Sequence, residues 1–216
     1  MTKSFDLNLL YPLIEEAVDY PTNHEKPSGR TGNVSFGITL FGIVISLKAQ
    51  NVLELGIGGG GSSYPLLLGC HLTGGKLTSV DNGTFPLATS WVNNTSIKNL
   101  SDSWNVVIKD APTYLESQAD PIDLVFIDDW HEHDHVLREL ELVKDLLTPS
   151  ALIIMHDAMY GNWEPRYHED NTPGGEFGGG GVYGAIKTFV GKYPGEFEFC
   201  TLPVDHGFTI LRKIIK

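Results

Sequence analysis

The chain has 216 residues, of which 41% are hydrophobic, and a formal net charge of −12, so it can form one folded domain over residues 1–216. The acidic balance excludes a basic nucleic-acid-binding surface, and no apolar run reaches the roughly 20 residues of a membrane span. Two distant cysteines, Cys70 and Cys200, and the lack of a signal-peptide pattern predict a cytoplasmic protein with reduced thiols.

The N-terminal part of the chain, residues 1–48, is predicted to be a helical cap. Apolar side chains recur near helical spacing in residues 7–18 and 36–48, and each stretch predicts a helix. Residues 20–32 contain two prolines and two glycines and predict a loop. The apolar face of the second helix suits either a core or the interface of a homo-oligomer.

From residue 52 onward, strand-like and helix-like stretches alternate. The predicted strands are 52–55, 76–80, 105–108, 124–127 and 152–155, and the predicted helices are 62–70, 86–100, 112–117 and 132–147. This alternation indicates an α/β fold in which a mostly parallel sheet carries helices on both faces.

The pattern changes after residue 158. Residues 159–181 are rich in glycine, proline and aromatic side chains, among them Tyr160, Trp163, Tyr167 and Phe177, and they predict a lid loop that selects the substrate. A helix at 182–190 and two closely spaced strands at 197–202 and 208–212 follow. The whole chain therefore predicts a seven-stranded sheet that ends in an antiparallel hairpin.

The stretch VLELGIGGGGSS, residues 52–63, has the pattern of a buried strand that runs into a tight turn and a helix. It satisfies G-x-G-x-x-G at residues 56–61, and we expect its glycines to provide positive φ angles and room for a ligand. The start of the next helix would offer amide groups to that ligand. The predicted binding residues for a nucleotide-type cofactor are Gly56, Gly58, Gly60, Ser62 and Ser63.

Three acidic residues near strand ends bear on the identity of the cofactor. Asp81 ends the second strand, where a carboxylate can accept both hydroxyls of a ribose. Glu54 is an acid in a buried strand, so it needs a partner, either in the glycine loop or in the ammonium group of S-adenosylmethionine. A nicotinamide has no use for such an acid. Asp110, beside Ala111, either accepts from an adenine amino group or caps the next helix.

The sequence IDDWHEHDH, residues 127–135, follows the fourth strand. It contains H-E-x-x-H through His131, Glu132 and His135, the pattern of zinc hydrolases, but its place at a strand-to-helix turn favours an accidental match. Trp130 suits either stacking on an adenine or packing of the helix. His131 is the best candidate for a general base, because imidazole titrates near neutral pH.

Asp128 and Asp157 each follow a strand, so a parallel sheet brings both to one edge. Paired carboxylates there suit Mg²⁺. His156 would be a third ligand or a group that contacts the ligands without binding the metal. The alternative is that both acids cap helices.

Together these motifs resemble the class I S-adenosylmethionine-dependent methyltransferases, whose fold is Rossmann-like. The segment from the fourth to the fifth strand is similar to the catechol, antibiotic and sugar O-methyltransferases, in which a metal binds vicinal hydroxyls and lowers the pKa of one. The resemblance implies that Asp128, Asp157 and His156 are metal ligands, that Trp130 stacks on adenine, and that His131 with Asp128 is catalytic. Ala158 departs from this pattern, since the catechol enzymes have an Asn ligand there.

We therefore expect an O-methyltransferase that acts on a small phenolic or sugar hydroxyl with the help of a divalent metal. The alternatives are an NAD(P)-dependent oxidoreductase, a zinc hydrolase built on His131 and His135, and a non-catalytic cofactor-binding protein.

Overall fold

The computed structural model describes residues 36–83, 100–159, 180–204 and 206–215. The predicted helices at 7–18 and 86–100, the loop at 20–32 and the lid residues 160–179 lie outside this range. The helices are α1 (Gly37–Leu47), α2 (Ser63–Thr73), α3 (Ala111–Leu115), α4 (His133–Val143) and α5 (Gly181–Lys192). The strands are β1 (Asn51–Leu55), β2 (Lys76–Asp81), β3 (Trp104–Ile108), β4 (Ile122–Ile127), β5 (Leu147–Met155), β6 (Phe197–Leu202) and β7 (Phe208–Lys213).

The seven strands form one sheet in the order β3-β2-β1-β4-β5-β7-β6. The first five strands are parallel, whereas β7 is antiparallel to both β5 and β6. The predicted seven-stranded, Rossmann-like α/β sheet with its C-terminal hairpin is thus confirmed. The chain extends outward from β1 to β3 and then returns to β4 on the other side of β1. Ligands bind at this kind of switch point, beyond the carboxyl ends of the strands.

Alternating side chains of the strands supply two hydrophobic cores, one on each face of the sheet. Val52 of β1 packs with α1 and α2, whereas Leu53 and Leu55 pack with α3, α4 and α5. This period of two sends Glu54 to the same face as Val52. Helix α4 faces its core because Val136, Leu140 and Val143 recur at helical spacing and are fully buried or nearly so.

The boundary between α4 and β5 differs from the prediction. The predicted helix at 132–147 ends at Val143, and β5 begins at Leu147 rather than at residue 152. Leu147 pairs with Ile122, and the pairing shifts register before it resumes between Leu124 and Leu152. The extra residues contain Pro149, which has no N–H group to donate to a sheet. The proline therefore argued against a strand at this position in the sequence.

In the part of the chain that the structure describes, no helix combines the length and apolar character needed to cross a membrane.

Candidate functional site

A cavity of about 530 Å³ lies beyond the carboxyl ends of the four strands β1 to β4, within the size range of small-molecule sites. It is lined by residues at or just after the ends of these strands and by one residue of α4: Gly56, Gly58, Val80, Asp81, Asn82, Lys109, Asp110, Ala111, Asp128, Asp129, Trp130, His131 and His135. Eight of the predicted site residues therefore meet at one cavity: Gly56, Gly58, Asp81, Asp110, Ala111, Asp128, Trp130 and His131.

The glycines of the β1–α2 turn have different roles. Gly56 has a φ of +89°, and a Cβ there would lie 2.2 Å from the carbonyl oxygen of Asp128. The backbone of Asp128 therefore requires a glycine at this position, and contact of Gly56 with a cofactor stays a prediction. Gly58 has a φ of +48°, and a Cβ there would meet nothing within 4 Å. Because Gly58 lines the cavity, the open space beside it is space for a ligand. Gly60 is buried with a φ of +80° and is not a lining residue.

Asp81 holds the glycine turn in place from the end of β2. Its Oδ2 accepts hydrogen bonds from the backbone N–H groups of Ile57 and Gly58, at 3.0 and 3.2 Å. Its Oδ1 accepts from the N–H of Gly83 at 2.7 Å. A carboxylate has about four acceptor positions, so Asp81, which also lines the cavity, retains about one for a ribose hydroxyl.

Glu54 is fully buried behind the glycine turn. Its oxygens accept hydrogen bonds from the hydroxyls of Ser62 at 2.6 Å, Ser63 at 2.8 Å and Ser79 at 2.5 Å. Burial raises the pKa of Glu54 to about 7, although the three serine hydroxyls oppose that rise. Neither Glu54 nor its partners Ser62 and Ser63 line the cavity. These contacts make Glu54 a support for the start of α2, and its direct contact with a cofactor stays a prediction.

Asp110 and Trp130 lie on the cavity wall. Asp110 is the N-cap of α3, because its Oδ2 accepts from the N–H of Thr113 at 3.1 Å and from its hydroxyl at 2.7 Å. The hydrogen bonds from Thr113 lower the pKa of Asp110. The side chain of Trp130 is 54% exposed, so it does not pack a core and its ring is available to a ligand.

Asp128, His131 and Asp157 form a group whose potential ligand atoms all lie within 4.8 Å of one another. The Nε2 of His131 lies 3.0 Å from Oδ2 of Asp157 and 3.6 Å from Oδ1 of Asp128. The Nδ1 of His156 lies 3.2 and 3.3 Å from the same two oxygens. The sheet thus brings the two predicted carboxylates together. His131, predicted as a base, belongs to the same group as the two predicted metal ligands.

The charges in this group perturb one another. Burial disfavours protonation of His131 and His156, but hydrogen bonds and charges from Asp128 and Asp157 outweigh it and raise the pKa of each imidazole to about 10. Burial opposes ionisation of Asp157, yet the two histidines hold its pKa well below the usual range. Asp157 also has a φ of +56°, a strained conformation that is common at functional sites.

The two histidines of H-E-x-x-H point to different partners. Helix α4 begins at His133, so the motif straddles the start of the helix. His131 joins Asp128 and Asp157, whereas the Nε2 of His135 lies 3.1 Å from Asp129. No metal-competent group among the described residues contains both histidines. The zinc-hydrolase alternative therefore has no site here.

Apart from Val80, three lining residues were not assigned from sequence: Asn82, Lys109 and Asp129. Each of them directly follows a residue that ends a strand or a predicted site residue. This position in the sequence could have identified them. A fourth residue, Glu139, lies next to the cavity and is fully buried. Its signal is that an acid occupies the apolar side of α4, between Val136 and Leu140.

Comparisons with known proteins show similarity to methyltransferases. Residues 53–158 match the family described as a methyltransferase domain, whereas no curated protein sequence matches the chain significantly. This match favours a methyl donor over a nicotinamide.

Three solved structures have the same fold at low sequence identity. The SAH-bound methyltransferase PaMTH1 of Podospora anserina is 15% identical, with 95% of this chain and 88% of that chain covered and a TM-score of 0.67. The O-methyltransferase of Bacillus cereus in complex with SAH is 20% identical, with coverages of 98% and 93% and a TM-score of 0.63. TomG of Streptomyces achromogenes, an O-methyltransferase involved in tomaymycin synthesis and solved with SAM, is 17% identical, with coverages of 99% and 92% and a TM-score of 0.62. Residues 53–158 are therefore similar to a methyltransferase domain, and the chain has the fold of methyltransferases that were solved with SAH or SAM.

Proposed function

We propose that the protein transfers the methyl group of S-adenosylmethionine to a hydroxyl group of a small phenolic or sugar molecule. One observation carries this proposal. The cavity joins the glycine turn and Asp81 on one side to Asp128 and His131 on the other. A cofactor held by the first pair would therefore lie beside groups that can bind and deprotonate a hydroxyl.

The residues of the cavity fit this cofactor. Asp81 would accept a ribose hydroxyl, and the open side of Gly58 leaves room for the cofactor against the turn. The exposed ring of Trp130 would stack on the adenine, an arrangement that suits two flat π-systems. Asp110 would meet the adenine amino group with the acceptor capacity that Thr113 leaves free. Glu54 would act as a positioning residue that holds the start of α2 through Ser62 and Ser63.

The carboxylates of Asp128 and Asp157 fit a divalent cation such as Mg²⁺, because they supply hard oxygen ligands and opposite charge. A bound cation would lower the pKa of the substrate hydroxyl. His156 would support the same carboxylates from the side of Phe36, whose ring centroid lies 4.8 Å from that of the imidazole.

His131 is the proposed acceptor of the hydroxyl proton, because it lines the cavity and contacts both carboxylates. A base must be unprotonated at the working pH, whereas Asp128 and Asp157 raise the pKa of His131 to about 10. Engaging those carboxylates with a cation removes this effect, since their charge is then shared with the cation. The proposed base is therefore competent only together with the proposed cation.

In the transfer itself, a hydroxyl oxygen forms a bond to the methyl carbon while the carbon–sulfur bond breaks. The products are a methyl ether, S-adenosylhomocysteine and the proton that His131 accepts. The chain contributes by aligning the two reactants and excluding other orientations, which supplies much of the rate in such displacements.

Calorimetric titration of the purified protein with S-adenosylhomocysteine and with NADH tests the cofactor. We expect micromolar binding of S-adenosylhomocysteine, no binding of NADH, and an affinity about 10-fold lower in Asp81→Asn, equivalent to about 1.4 kcal/mol. Asp102→Asn, at an exposed position of the turn at Ser101–Ser103, serves as the control and should bind normally. Binding of NADH instead would support the oxidoreductase alternative.

Methyl transfer is tested separately with a panel of catechols and sugars, using transfer of labelled methyl groups with and without EDTA. Transfer to a hydroxyl that EDTA abolishes and Mg²⁺ restores would support the whole proposal. Cofactor binding without transfer to any hydroxylated compound would favour the non-catalytic alternative.

Both cysteines are free thiols, which supports a reducing compartment such as the cytoplasm as the place of this reaction.

A further inference from the structure

A second cluster of ionisable side chains lies next to the cavity and has no part in the function proposed above. It consists of Asp129, His135 and Glu139, and we name it the Glu139 cluster. The Nε2 of His135 lies 3.1 Å from Oδ2 of Asp129 and 3.6 Å from Oε1 of Glu139. One potential ligand atom of each side chain lies within 4.8 Å of those of the other two. The cluster joins the loop after β4 to the first two turns of α4.

The cluster has unsatisfied acceptors that a ligand would satisfy. Glu139 is fully buried, and neither of its carboxylate oxygens has a hydrogen-bond partner among the described residues. Oδ1 of Asp129 is also buried without one. Burial and the charge of Asp129 raise the pKa of Glu139. Burial disfavours protonation of His135, but the two neighbouring acids outweigh it and raise the pKa of His135 to about 10. A buried carboxylate without partners is strongly unfavourable, so such groups are usually paired or bound to metals.

The proton on His135 does not neutralise the negative charge of the two carboxylates in the cluster. One imidazolium carries one positive charge against two carboxylates, and Nε2 has a single proton to donate. At 3.6 Å, its contact with Glu139 is also longer than a hydrogen bond. A divalent cation would neutralise both acids and would use the oxygens that now lack partners.

We propose that the Glu139 cluster is a second binding site for a divalent transition-metal ion such as Zn²⁺ or Mn²⁺. Two carboxylates and one imidazole are ligands that these ions accept, and the imidazole favours them over Mg²⁺. The site shares no residue with the group of Asp128, His131 and Asp157. Asp129 and His135 also line the cavity, so the ion would hold the wall of the cofactor site to α4. The proposal does not depend on the reaction that the cavity supports.

Metal titration of the full-length protein after treatment with EDTA tests this proposal. Asp157→Asn removes a ligand of the other site, and Asn suits the positive φ of that position. We expect calorimetry to show two equivalents of Zn²⁺ or Mn²⁺ in the wild type and one in Asp157→Asn. In the Asp157→Asn background, Glu139→Gln or His135→Gln should lower the remaining affinity at least 100-fold. Glu141→Gln is the matched control on the same helix, because Glu141 contacts Lys192 and Tyr193 instead.

Thermal unfolding distinguishes loss of metal binding from loss of folding. Zn²⁺ should raise the Tm of Asp157→Asn but not that of the double variant with Glu139→Gln, although both unfold cooperatively without metal. Co²⁺ in the site should give a visible absorption spectrum that His135→Gln alters. The proposal is overturned if Asp157→Asn binds no ion, or if Glu139→Gln leaves its affinity unchanged. Either result would mean that Glu139 is a buried neutral acid rather than a metal ligand.

Discussion

The buried carboxyl of Glu54 predicts a specific dependence of stability on pH. Its pKa rises from 4.5 to about 7 in the folded protein because burial disfavours the charge. The unfolded chain therefore loses this proton at lower pH than the folded chain does. Between these two pKa values the folded state binds more protons, so stability falls as the pH rises through this range.

The magnitude follows from the size of the shift. About 2.5 pKa units correspond to about 3 kcal/mol, of which roughly 2.5 kcal/mol should be lost between pH 5 and pH 8. Glu54→Gln removes this titration and keeps the shape of the side chain. Because the serine hydroxyls can rotate, they can still donate to the amide oxygen or accept from the amide nitrogen. The variant should therefore be near or below the wild type in stability at pH 5 and above it at pH 8.

Urea unfolding followed by circular dichroism, at intervals from pH 5 to pH 8, measures this difference. The quantity of interest is the free energy of unfolding of Glu54→Gln minus that of the wild type, since other titrating groups cancel in it. Glu196→Gln, at an exposed position after α5, is the control and should show no such trend. A difference that stays constant with pH would refute the reasoning, because it would mean that the three serine hydroxyls fully offset the burial of the charge.

Three further predictions concern the cavity. Gly56→Ala should destabilise the protein by more than about 4 kcal/mol, since its Cβ would collide with the carbonyl of Asp128. Gly58→Ala should cost only about 1 to 2 kcal/mol of stability but weaken binding of S-adenosylhomocysteine. An equal loss of unfolding free energy in the two variants, measured with urea, would contradict this. Trp130→Ala should lower the affinity for S-adenosylhomocysteine about 10-fold in calorimetry with an unchanged Tm, because the ring is exposed; a large drop in Tm would reveal a structural role. Asp157→Asn should abolish Mg²⁺ binding measured by calorimetry and preserve binding of S-adenosylhomocysteine, and undiminished Mg²⁺ affinity would exclude Asp157 as a ligand.

Much of the fold follows from local patterns in the sequence. The alternation of strand and helix, the glycine turn and the acids at strand ends depend on residues close together in the chain. A parallel sheet necessarily brings the ends of its strands to one edge, so the meeting of Asp128 with Asp157 and the place of Asp81 beside the glycine turn were predictable. The early start of β5 was not, because its first pair, Leu147 with Ile122, depends on contact with another strand.

The partners of each polar side chain were decided only by the tertiary structure. Sequence indicated that Glu54 is an acid in need of a partner, but only the structure shows that two serines at the start of α2 and one serine of β2 are its partners. Gly56 is required by the backbone of Asp128, a residue far along the chain. His131 and His135, four residues apart, contact different pairs of acids because α4 begins between them. Local periodicity determines which face a residue occupies, whereas packing between distant segments determines what it meets there.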